Sequence, residues 1–177
     1  MARIPYKPAH IREPAGIVEE IRKRRGGNLL NLDRMLLHSP PFAKGWNTFL
    51  GNVRGELAVS AKLCELAICL VAIINRADYE YIHHLPILIA AGANDLQVAA
   101  LPSLVNSDAD VSMFNESERA VIALTREISI HVAPTEETFA EVKKALPDPQ
   151  HVVEIVGVIA TYNMVSRFLV TLGVEPE

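Results

Sequence analysis

Cysteine is scarce in this sequence: Cys64 and Cys69 are the only two in 177 residues. So small a number builds no disulfide framework, and reduced thiols in a cytoplasmic setting are expected. Sustained period-two alternation is missing as well, and no Asn-Gly pair marks a hairpin, so a sheet has little to grow from. An apolar leader is lacking, because Arg3, Lys7 and Arg12 interrupt the start, and no secretory signal is expected there. The longest apolar stretches are broken by charge, Pro or His short of about 18 residues, so no membrane partner is expected. A basic excess is the last absence. Seventeen Lys and Arg against twenty-one Asp and Glu leave a net charge of −4, which argues against a nucleic acid partner. The first 25 residues run the other way, with seven basic and three acidic residues, and a solvated basic face is expected there. What is present is apolar. Half of the chain is hydrophobic and 21% is charged, enough for a packed core in a single domain over residues 1–177.

The apolar periodicity is helical almost throughout. Pro14 opens a helix that Gly26-Gly27 ends. Leu29, Leu32, Leu36 and Leu37 predict a helix over 29–38 that Pro40-Pro41 breaks, and another follows from Phe42 to about Val53. Ser60 is a candidate N-cap before Leu63, Leu66, Ala67, Leu70, Val71 and Ile74 at core spacing. Asn75-Arg76-Ala77 is a short link, Asp78 a candidate cap, and the next helix runs to Gly92. So short a link predicts an antiparallel helical hairpin. Asn94 caps a short helix ending near Pro102, residues 103–115 read as a loop, and a helix follows over 117–131. Thr135 starts another, with Glu136 and Glu137 in its first turn and Lys143 and Lys144 in its last, and Asp148-Pro149 starts the final one to Leu172. The runs 68–74 and 152–159 are β-branched enough for strands, yet their length and caps favour helices. The predicted class is all-α.

Chemistry concentrates in the hairpin. Glu80 and His84 are four apart on its second helix and share a face. Glu65 lies on its first helix among Leu63, Leu66, Ala67 and Ile68, where a carboxylate is costly unless paired or functional. Counted from the turn near Arg76, the axial offset between Glu65 and His84 is only about 5 Å at a rise of about 1.5 Å per residue. Glu65, Glu80 and His84 can therefore form a carboxylate–imidazole–carboxylate cluster. An imidazole titrates near neutrality, and flanking carboxylates fix its tautomer and favour its charged form, which suits a general acid. A purely structural ion network joining the two helices has the same spacing. Glu80 and His84 supply only half of a metal site, and the vicinal His83 and His84 point about 100° apart on a helix, so no metal is expected. Pro86 lies inside the second helix, where it cannot donate to the Ile82 carbonyl.

These residues also carry a resemblance. Glu65-Leu66-Ala67-Ile68, then Ala77-Asp78-Tyr79-Glu80-Tyr81-Ile82-His83-His84, and on to Ala90-Ala91-Gly92, resemble the signature of the carboxymuconolactone decarboxylase family, whose superfamily includes alkylhydroperoxidase D. Leu36-Leu37-His38-Ser39-Pro40 and Tyr162-Asn163…Arg167 resemble the family's longer members. In the peroxidase branch the positions of Ala77 and Glu80 hold the two redox cysteines, while Glu65 and His84 are kept here. Hydroperoxide reduction needs a thiolate attacker and a resolving thiol. Cys64 and Cys69, about 140° apart around a helix, cannot pair with each other on it.

The resemblance therefore implies the decarboxylase branch: a lyase of aromatic-compound catabolism that needs neither metal nor organic cofactor and acts on a carboxymuconolactone-like or other small carboxylated lactone. His84 is then the proton donor, Glu65 and Glu80 orient it, and His83, Tyr79 and Tyr81 are candidates to contact substrate, with Arg34, Arg76 and Arg167 as further cations. The resemblance also implies a homo-oligomer, a trimer or hexamer of helical subunits. Two alternatives stand beside this reading, an alkylhydroperoxidase-like peroxidase and a non-catalytic helical oligomeric binding protein.

Overall fold

Helix α4 (Ala61–Ile74) explains the local arrangement around it. Ser60 starts it, its hydroxyl accepting the Leu63 N–H at 3.4 Å. Nine of its residues are buried, and the consecutive Cys69, Leu70 and Val71 are fully so. A helix covered on every side reads as a continuous apolar run, which is why its β-branched stretch resembles a strand in sequence. The computed structural model describes residues 1–177, which form nine α-helices, one 3₁₀ turn and no strand. They cluster into two compact units, Leu57–Val170 and Met1–Glu56 with Thr171–Glu177.

In the first of these, α4 packs against α5 (Asp78–Ala90), α7 (Glu116–His131) and the 3₁₀ turn Leu101–Val105. Leu66, Cys69, Leu70, Leu88, Leu101, Leu104, Phe114 and Ile122 form its core cluster, and each large apolar side chain buried there stabilises by about 1.5–3 kcal/mol. The α4–α5 link turns through Arg76 at φ 57°, and Ala77, not Asp78, occupies the cap position of α5. Asp78 and Glu80 lie in the first turn instead, where their charge meets the positive end of the helix dipole. Asn94 caps α6 (Asp95–Ala100), which tightens directly into the 3₁₀ turn, so the expected loop begins only after Val105. Asn115 and Glu118 form a reciprocal capping box on α7, and Thr135 caps α8 (Glu136–Ala145).

The last helix, α9 (Pro149–Leu172), is long and apolar enough to cross a membrane by length and composition, although half of its most apolar window is buried inside the protein. Its buried face carries Tyr162, Asn163 and Ser166, whose polar atoms are used within the fold.

The other unit holds α1 (Ala15–Arg25), α2 (Asn31–Leu36) and α3 (Pro40–Gly55). Pro40-Pro41 opens α3 at its first positions, where a missing N–H costs nothing, so the same pair that ends one helix starts the next. The basic stretch is a solvated face only in part. Arg24 and Arg25 reach the buried Asp33 at 3.5 and 3.1 Å, and Arg22 donates to the carbonyls of Ala9 and Gly27 at 2.7 and 2.8 Å. Of the seven basic residues in the first 25, Arg3, Arg12 and Lys23 are exposed and the other four are half-buried. At the chain ends the Met1 amino group meets Glu175 at 2.8 Å, and the Arg3 N–H donates to the Leu172 carbonyl. Gly173 is required there: at φ 64° its position would bring a Cβ within 2.7 Å of the Met1 carbonyl oxygen.

Candidate active site

The antiparallel hairpin brings Glu65 and His84 together. Imidazole Nδ1 lies 2.7 Å from Glu65 Oε2, and both residues are buried, with His84 4% and Glu65 9% exposed. Nδ1–H donates to the carboxylate, which fixes the tautomer of the ring. The carboxylate forms the solvent-facing edge of the pair, 12% exposed against 5% for the imidazole. Tyr162 closes the other side, its ring edge-on to the imidazole with centroids 5.0 Å apart. Glu80 lies one helical turn before His84, its carboxylate buried at 2% exposure.

The remaining candidates fall elsewhere. His83 Nδ1 bonds the Tyr79 carbonyl at 2.7 Å, and the two rings stack at 4.2 Å. Tyr79 is buried and His83 half-buried. Tyr81 packs against the core cluster around Cys69 and Leu88, and burial, followed by the charge of Cys69, pushes its phenol pKa up. Arg76 is exposed at the turn, about 12 Å along α5 from His84. Arg167 is committed to Asn163, whose side-chain and backbone oxygens accept from Nη1 at 2.6 and 2.8 Å. Arg34 donates to the Lys7 carbonyl and lies over the Tyr6 ring within its own unit.

The thiols have a different character. Burial, then the charges of Glu65 and Glu154, pushes Cys64 up to about 11, so it is a thiol at neutral pH. Burial pushes Cys69 up as well, with Glu65 and Glu80 adding to it. No three His, Cys, Asp or Glu side chains converge in a geometry that would hold an ion.

Two features of the site escape sequence reasoning. Tyr162 enters it from α9, far along the chain. Asn163 and Ser166 on the same helix join Asn75 and Ser129 in a buried polar network. The signal for the latter was present: two polar residues three apart inside an apolar helix mark a polar stripe that must be satisfied within the fold.

The chain is thus all-α, with a buried carboxylate–imidazole pair across a helical hairpin. Residues 40–127 match the model of the carboxymuconolactone decarboxylase family, and the chain belongs to that family. A peroxidase-related protein from Ralstonia eutropha, described as an alkylhydroperoxidase AhpD core, superposes with TM-score 0.81 over 99% of this chain and 92% of its own, at 18% identity. The debrominase Bmp8, in a cysteine-to-alanine variant bound to 2,3,4-tribromopyrrole, gives TM-score 0.79 over 100% and 94%, at 20% identity. A peroxidase-related protein from Silicibacter gives 0.77 over 99% and 90%, at 13% identity. Identities this low establish the fold alone. No curated protein matches the chain.

Proposed function

We propose that this chain is a cofactor-free lyase that decarboxylates a carboxymuconolactone-like or other small carboxylated lactone, with His84 as general acid. The observation that carries the reading is the buried Nδ1–Glu65 hydrogen bond at 2.7 Å, which orients an imidazole for proton transfer. The C–C bond to the substrate carboxylate breaks, its electron pair moves into the conjugated system toward the lactone carbonyl, and carbon dioxide leaves. His84 gives its proton to the resulting dienolate carbon and is reprotonated from water, so one proton is consumed per carbon dioxide released. Glu65 and Glu80 hold the imidazolium charge, and burial disfavours the substrate carboxylate relative to the delocalised transition state. His83 and Tyr79 are the proposed substrate contacts, with Tyr81 behind them. The tribromopyrrole bound by Bmp8 supports a small planar ring compound as the substrate class. Ala77 and Glu80 at the cysteine positions, with Cys64 held as a thiol, weigh against a peroxidase.

A cytoplasmic homo-oligomer, a trimer or hexamer, is part of the same proposal. Ile82 and Ile89 are 53% and 50% exposed on the outer face of α5, with the exposed Pro86 between them, an apolar stripe that suits a second copy. A monomer by light scattering counts against that part.

The test is carbon dioxide release from carboxymuconolactone and a panel of β-keto and lactone carboxylates, without added metal or thiol. Release by the wild type that falls at least about 100-fold in a folded His84→Gln variant supports the proposal. Release that is absent throughout, or unchanged in the variant, overturns it.

A further inference from the structure

The turn from α8 into α9 carries an apolar groove. Phe139 and Lys143 on α8, Leu146 and Pro147 on the link, and Val152 and Val153 at the start of α9 line a hollow of about 320 Å³. Its walls follow from the sequence. Phe139 and Lys143 are four apart on one helix and share a face, while Pro147 and Pro149 bring two residues without an N–H donor to the link and to the first position of α9. Leu146 and Val152 are buried at its base, whereas Val153 stays 71% exposed. The volume lies at the lower end of the range of about 300–1,000 Å³ usual for small-molecule sites.

Lys143 is the one charged side chain in the lining, and its setting differs from that of its neighbour. Lys144 is drawn to carboxylates, 3.3 Å from Glu116 and 3.6 Å from Glu141. Lys143 has no carboxylate within ion-pair distance, and its Nζ lies 5.4 Å from the Phe139 centroid, over a ring that forms the groove wall. A cation resting on an aromatic face keeps its charge at the groove instead of spending it on a carboxylate of the chain. An apolar hollow takes an apolar body, and one ammonium offsets one negative charge. A carboxylate on a hydrocarbon frame meets both demands.

We infer that the α8–α9 groove binds a small hydrophobic monocarboxylate, its apolar body against Phe139, Leu146 and Val152 and its carboxylate on Lys143. The groove shares no residue with the Glu65–His84 pair, and Val152 lies about 15 Å along α9 from Tyr162, so the site is a second one.

Octanoate is the probe, titrated at neutral pH into the full chain labelled with nitrogen-15, with amide resonances read by NMR. Saturable shifts at Phe139, Lys143 and Val152 are expected, with Kd on the order of 1 mM. Lys143→Gln weakens the affinity about fivefold, the effect of one exposed ion pair, and Val153→Asp, which sets a like charge against the ligand, removes saturation. Both positions are exposed, and a native thermal transition is confirmed in each variant. 1-Octanol, with the same chain and no charge, binds about fivefold more weakly than octanoate. Absence of saturable shifts up to about 10 mM octanoate overturns the proposal. Octanol binding as tightly as octanoate, or affinity unchanged in either variant, overturns it too, because the charge or the groove then plays no part. Saturable shifts confined to other residues place the ligand elsewhere and count equally against it. A wild type that takes up no octanoate, together with a lower particle mass for Val153→Asp by light scattering, assigns the groove to an interface between copies of this chain, and the proposal fails.

Discussion

Asp33 and Glu65 are both buried carboxylates, and they are partnered in opposite ways. Asp33, 1% exposed, accepts from the guanidinium groups of Arg24 and Arg25 and from the Leu30 N–H at 3.0 Å. A guanidinium group stays charged, so this cluster ties the end of α1 to the start of α2 as a fixed ion pair. Glu65 faces an imidazole at 2.7 Å, a type of side chain that can serve as either acid or base. Burial of a carboxylate therefore does not by itself mark a site. The titratability of the partner separates an anchor from a group able to do proton chemistry. Glu118 belongs with the anchors, bonded to Lys62 Nζ at 2.7 Å, Gln97 Nε2 at 3.0 Å and the Asn115 N–H at 3.0 Å.

That contrast can be broken by substitution. Removing the buried Asp33 takes the carboxylate from two half-buried guanidinium groups and the acceptor from the Leu30 N–H, so Asp33→Ala is expected to cost about 3 kcal/mol and lower the thermal midpoint by roughly 6–12 °C. Calorimetry checks this, and a loss under about 1 kcal/mol contradicts the anchor role. Glu65→Gln keeps the shape and an acceptor oxygen but removes the charge that steadies an imidazolium. Turnover is expected to fall roughly 100-fold, with the midpoint within about 3 °C of wild type. A large drop in midpoint with turnover intact would make Glu65 an anchor too, and the contrast would collapse. Glu118→Gln, tested by urea unfolding, is expected to cost about 1–2 kcal/mol, because its hydrogen bonds survive in part and Lys62 is itself 25% exposed.

The smallest effect concerns Cys64. Its native pKa is pushed up from 9.0 to about 11, so iodoacetamide should modify it slowly at neutral pH, with a rate that climbs toward pH 11. The native state then holds this proton more tightly than the unfolded chain. The associated stability is present in full below pH 9 and is lost as pH rises from 9 toward 11. Cys64→Ser should leave turnover within about twofold, and a complete loss would return weight to thiol chemistry.

The hairpin and the meeting of Glu65 with His84 were legible in the sequence because they depend on local quantities: a serine cap, a three-residue link, and the rise of a helix. Most helix boundaries were legible to within a few residues for the same reason. The end of the basic stretch was misread because side-chain direction is tertiary. Nothing near Arg22, Arg24 and Arg25 announces that Asp33 and the carbonyls of Ala9 and Gly27 will receive them. Pro40-Pro41 was read as a stop, although the same ring geometry serves as a start. Tyr162 lay beyond reach as a neighbour of His84, since that contact joins two helices far apart along the chain.

Ala77 and Glu80 stand at the cap and in the first turn of α5, with Ala77 only 2% exposed. In evolutionary terms this is a short distance. A helix N-terminus lowers the pKa of a thiol placed on it, so the backbone that here presents a carboxylate would activate cysteines at the same two positions. Placing a dithiol on this scaffold would thus take two substitutions, Ala77→Cys and Glu80→Cys, both at the start of one helix.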